Sequence, residues 1–89
     1  MRGNTLLILK AQILKKLRRR DYWGEKHTAF DELPKGLPKH LRGDAKEAAE
    51  EMIKESLLLS KPTSYGEQVS LNPQRKADID RIIKDVLDE

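Results

Sequence analysis

Cysteine is absent from this chain of 89 residues, which excludes a disulfide framework, a thiolate nucleophile and the usual structural zinc site. Large rings are scarce: one Trp, one Phe and two Tyr leave the core to be filled mainly by aliphatic side chains. Only two asparagines occur, and a long apolar run is missing as well. The segment "TLLILKAQIL" is interrupted by Lys10 and Gln12, is too short to span a bilayer, and is followed by no small-residue cleavage site. The expectation is a soluble, cytoplasmic protein with no membrane partner. Catalytic equipment is lacking too. His27 and His40 fall on separate loop-like stretches with no carboxylate at triad or metal spacing, and "PKGLPKHLRG" has the pattern of neither nucleotide fingerprint. Enzymatic activity, a cofactor and a metal are therefore not expected.

What is present is charge. Charged residues make up 37% of the chain, and with so little Cys and Asn this composition leans toward a thermophile, where surface ion-pair networks are favoured. Residues 1–43 hold eleven Lys/Arg against four Asp/Glu, while residues 44–89 hold seven against eleven. A basic half suggests an anionic partner such as nucleic acid, although basic runs also serve as plain solvated faces. The length allows one domain, residues 1–89, with a modest core.

Leu6, Leu9, Ile13, Leu14 and Leu17 recur at helical spacing and predict a first helix from about Thr5 to Arg20. "DYWGEKHT" reads as a turn with a short extended stretch. Thr28 to Asp31 has the form of a capping box and predicts a short second helix beginning at Ala29, ended or interrupted by Pro34 and Gly36. Asp44 is a candidate N-cap for a third helix over residues 45–56, with Ala45, Ala48, Ala49, Met52 and Ile53 on one side. In "LLLSKPTSYGEQVSLNPQR", residues 57–61 and 68–71 predict two strands of a hairpin whose turn lies between Pro62 and Glu67. Asn72 then offers a cap and Pro73 the first position of a last helix, running to about Leu87 and buried through Ile79, Ile82, Ile83 and Val86.

This order, an α+β and mostly helical chain with a two-stranded wing hairpin and a C-terminal helix, resembles the winged helix-turn-helix family. It is similar in particular to small stand-alone winged-helix proteins and transcription regulators of archaea, in which a wing ends in a "VSLNP"-like turn. The resemblance implies a DNA-binding protein whose third helix enters the major groove. It also implies a wing along the backbone or in the minor groove, with Lys61 and Tyr65 as its leading contacts.

The candidate nucleic-acid-binding residues are Lys35, Lys39, His40, Arg42 and Lys46 around the start of the third helix, and Lys61, Thr63, Ser64, Tyr65 and Gln68 on the wing. Gly43 would leave the helix's first amides open to an anion. Against this stands the third helix itself. Lys46, Glu47, Glu50, Glu51, Lys54 and Glu55 give it a net charge of −2, so two partners remain open: double-stranded DNA, or a basic protein that the acidic helix would dock. Arg18 to Trp23, with two aromatics beside arginines, offers a further surface for single-stranded nucleic acid. The apolar stripes of the two terminal helices are candidates for a homodimer contact.

Overall fold

The computed structural model describes residues 2–89. Three helices pack with a small antiparallel sheet, in the order α1 (Arg2–Arg19), β1 (Thr28–Ala29), α2 (Arg42–Lys54), β2 (Leu58–Thr63), β3 (Gly66–Leu71) and α3 (Lys76–Leu87). Single 3-10 turns at Phe30–Glu32, Lys39–Leu41 and Pro73–Arg75 join them. The chain is thus α+β and mostly helical, as its patterning predicts.

The apolar stripe of α1 is sunk into the core at Leu9, Ile13, Leu14 and Leu17. It meets α2 through Ala45, Ala48, Ala49 and Met52, all fully buried, where the alanines let the two backbones approach closely. α3 contributes Ile79 and Ile83; Ile82 and Val86 are half-buried. Leu9, Ile13 and Leu17 of one terminal stripe and Ile79 and Ile83 of the other are therefore covered within one chain, which leaves half-buried Val86, with Ile82 beside it, as the accessible part of the stripes expected to form a homodimer.

α1 and α2 end in the same way, without the glycine that usually permits it. After α1, Tyr22 N–H bonds to Leu17 O at 3.0 Å and Asp21 N–H to Arg18 O at 3.0 Å, with Asp21 at φ 62°. After α2, Leu57 N–H bonds to Met52 O at 2.9 Å and Ser56 N–H to Ile53 O at 3.1 Å, with Ser56 at φ 64°. Both are Schellman motifs carried by a non-glycine residue in the left-handed region. The second reverses the chain directly into β2.

The hairpin pairs from Leu58 with Leu71 out to Thr63 with Gly66. Its turn is therefore tight, Ser64–Tyr65, with Pro62 and Glu67 paired in the ladder rather than looped out. Gly66 sits at φ +113°, and the Thr63 hydroxyl donates to Gly66 O at 2.7 Å while accepting from Tyr65 N–H at 3.2 Å. Asn72 caps the turn into α3: its side-chain oxygen accepts from Gln74 N–H at 3.1 Å, and its amide nitrogen donates to Ser56 O at 2.9 Å.

Two expectations are corrected. Thr28 does not cap a helix, and none begins at Ala29. Thr28 pairs with Val69 and Ala29 with Gln68, so the sheet has three strands in the order β1-β3-β2, and only the 3-10 turn Phe30–Glu32 comes after it. Likewise Asp44 lies inside the first turn of α2, whose cap position is Leu41 with no side-chain cap. The extra strand is tied down at its root, where Leu71 N–H bonds to Tyr22 O at 2.8 Å and Gly24 N–H to Leu71 O at 3.0 Å. Ser70, the one buried polar residue among those described, donates its hydroxyl to Gly24 O at 2.8 Å.

Candidate nucleic-acid interface

The hairpin's root is buried at Leu58, Val69, Ser70 and Leu71, whereas residues 59–62 and 64–67 are exposed. Its distal half therefore projects from the body as a wing would. Tyr65 stands at the tip with 94% of its surface exposed, an unusual place for a large ring in a chain with so few. Lys61 is exposed on β2 opposite Gln68. Gln68 is half-buried and its side-chain oxygen meets His27 Nδ1 at 3.2 Å, while Thr63 is engaged in the turn. Of the wing candidates, Lys61, Ser64 and Tyr65 thus present their side chains outward, and Thr63 and Gln68 have partners within the fold.

At the other element, Lys39 and His40 lie on the 3-10 turn leading into α2 and Arg42 and Lys46 on its first turns, all exposed. Arg42 Nε donates to Leu37 O at 3.4 Å, a long contact. Gly43 is exposed, and a Cβ added there would meet nothing within 4 Å.

The acidity of α2 divides by face. Residues four apart lie along one stripe of a helix, and Arg42, Lys46, Glu50 and Lys54 form the fully exposed stripe, whose charge sums to +2. Glu47 and Glu51 are half-buried on the adjacent stripe. Lys10 of α1 pairs with Glu51 and with Glu55, each at 3.3 Å. Of the four carboxylates that made this helix look unsuited to a polyanion, Glu51 and Glu55 thus reach toward α1, where Lys10 shares its single charge between them. This distinction was readable in the sequence as an i, i+4 pattern, and Lys54 belongs to it as much as Lys46.

The remaining candidates disperse. Lys35 pairs with Glu32 at 3.2 Å and lines a hollow together with Lys15, Lys16, Arg19 and Arg20. Arg18 is committed to Asp80 of α3 at 2.9 Å. Trp23 packs on the core and bridges to Leu71, and Tyr22 packs beside it with Lys26 Nζ 5.9 Å from its ring centre. The two aromatics after α1 therefore close the core, and of that cluster's cations Arg19 and Arg20 alone stay fully open to solvent.

Among the described residues no group of three His, Asp or Glu side chains could hold a metal ion. No helix among them is long and apolar enough to cross a membrane. No family model matches the sequence, and neither a curated protein nor a solved structure matches it.

Proposed function

We propose that the chain is a winged-helix protein that binds duplex DNA, with the exposed stripe of α2 toward the major groove and the β2–β3 wing against the adjacent backbone, in the manner of a transcriptional regulator. The observation that carries this reading is the segregation of charge on α2: its open stripe is net positive, and two of the acids off that stripe, Glu51 and Glu55, reach Lys10 of α1. The element order and the projecting hairpin support it. Lys39, Arg42, Lys46 and Lys61 are the phosphate contacts, and Tyr65 reaches sugar or base at the edge of the site. Phosphate contacts of this kind give affinity without sequence preference.

Binding to random duplex, titrated with salt, tests the proposal. Each lost phosphate contact lowers the slope of log affinity against log salt by about 0.9, so replacing all four cations with alanine should flatten it by about 3 to 4. Glu50→Gln should strengthen binding by removing the one carboxylate on the open stripe. A wild-type protein that fails to bind duplex at low salt would end the DNA reading in favour of protein docking.

A further inference from the structure

A groove of about 630 Å³ opens between α1, the segment from Leu33 to Leu37, and the end of α3. One wall carries Lys15, Lys16 and Arg19 of α1 and Arg20 just after it, and Lys35 lies on the opposite segment. Lys16 is fixed in place, since its Nζ donates to Glu32 O and Lys35 O at 3.2 Å each and so ties the two walls together. Leu33 and Ile13 close the floor, while half-buried Leu37 and Leu87 offer apolar surface to an occupant. Arg19 and Arg20 are exposed, and among the described residues neither has an ion-pair partner.

We propose that this groove docks an acidic amphipathic segment of a partner protein. Charge complementarity is the first argument: five cations line the groove against one carboxylate, Glu89. The chain's own α3 supplies the second. Leu87 and Glu89 both line the groove, and Glu89 meets Lys15 Nζ at 2.5 Å, so an apolar side chain and a carboxylate two residues apart already lie together against these cations. A nucleic acid would find the rim but would leave Leu37 and Leu87 without apolar partners. The groove is also open on one side, which suits an elongated peptide better than an enclosed small molecule.

Apart from Lys35, the groove uses none of the candidate duplex contacts. A protein bound to DNA through α2 and the wing would therefore keep it free for a second partner. The proposal does not depend on the DNA reading.

The probe is a fluorescein-labelled synthetic peptide with Leu at helical i, i+3, i+4 and i+7 positions and Glu elsewhere. Its counterparts are a version with Lys for every Glu, a scramble that breaks the apolar face, and oligothymidine. Anisotropy should show saturable binding of the acidic amphipathic peptide alone. Arg19→Ala with Arg20→Ala should weaken it about tenfold, the sum of two exposed ion pairs, and Leu37→Asp should abolish it. Glu89→Gln should tighten it a few-fold by releasing Lys15; this change removes no buried group, so it carries the test if the Leu37 variant fails to fold. Alanine at Lys39, Arg42, Lys46 and Lys61 should leave peptide binding unchanged, which separates this site from the duplex site. Scrambled peptide or oligothymidine binding equally well, an unchanged affinity in Glu89→Gln, or no saturable binding at low salt would each overturn the proposal.

Discussion

Replacing Asn72 isolates what holds the β2–β3 hairpin to the body. Its side chain makes two bonds in opposite directions: the oxygen accepts from Gln74 N–H at 3.1 Å and the amide donates to Ser56 O at 2.9 Å. The first caps the turn into α3, and losing such a cap costs about 1 kcal/mol. The second joins the end of α2 to the end of β3, and a net hydrogen bond of this kind contributes about 1 kcal/mol. Asn72→Ala should therefore cost about 2 kcal/mol, and at roughly 4–8 °C per kcal/mol for a domain of this size Tm should fall by about 8–16 °C. Asn72→Ser keeps an acceptor for Gln74 but cannot reach Ser56, so it should cost about half as much. Urea unfolding monitored by the emission of Trp23, the one tryptophan, gives both values on a probe beside the hairpin's root. Equal losses in the two variants would refute the division of labour, and stabilities within about 0.5 kcal/mol of wild type would refute the clasp itself.

Ser56→Gly should stabilise the protein by about 1 kcal/mol, because Ser56 holds φ 64°, where a side chain is strained and glycine is not; chemical denaturation checks it. Tyr65→Ala should leave Tm unchanged, since the ring is 94% exposed, yet weaken duplex binding in the same salt titration that reads the lysines. Acid should destabilise the fold through α3. The hydrogen bond from Arg75 holds the Asp78 carboxyl below its ordinary pKa, aided by Arg81, and those from Lys76 and then Arg18 do the same for Asp80. In both cases the unfolded chain takes up the proton more readily than the folded one. The stabilisation is therefore complete above the unfolded carboxylate pKa and is lost as pH falls through the lowered folded values. Urea midpoints measured downward from neutrality should drop below about pH 4, and more shallowly in Asp80→Asn than in wild type.

The elements that patterning located well are those whose signals are local and agree with one another. Asn72-Pro73 is a cap next to a residue that needs no N–H, and the structure uses both as expected. The helix stripes at Leu9, Ile13 and Leu17 and at Ile79 and Ile83 were equally plain. Thr28 to Asp31 misled because a capping box competes with any pairing available to the same backbone, and here Val69 and Gln68, some forty residues away in sequence, took Thr28 and Ala29 into the sheet. No local signal announces such a partner. The reversal at Ser56 was hidden for a different reason: glycine marks a Schellman motif, and neither Ser56 nor Asp21 is glycine. At the candidate site the residue types were legible but their neighbours were not. Net charge summed along α2 concealed that Lys10, on another helix, meets Glu51 and Glu55, and sequence proximity grouped Lys35 with Lys39 although it lines the groove beside α1.

The position of Pro62 bears on what many copies of this chain do together. β2 is an outer strand of the sheet, and an outer strand with free N–H and C=O groups is a template on which another molecule's strand can add. Pro62 contributes no N–H to such a ladder, exposed Lys61 beside it sets like charges against each other where two β2 strands meet antiparallel about that position, and the strand is only six residues long. These are the devices by which natural sheets stop growing. Concentrated solutions should accordingly resist fibril formation, and a chain with valine at both positions would be the one to watch for thioflavin-positive aggregates.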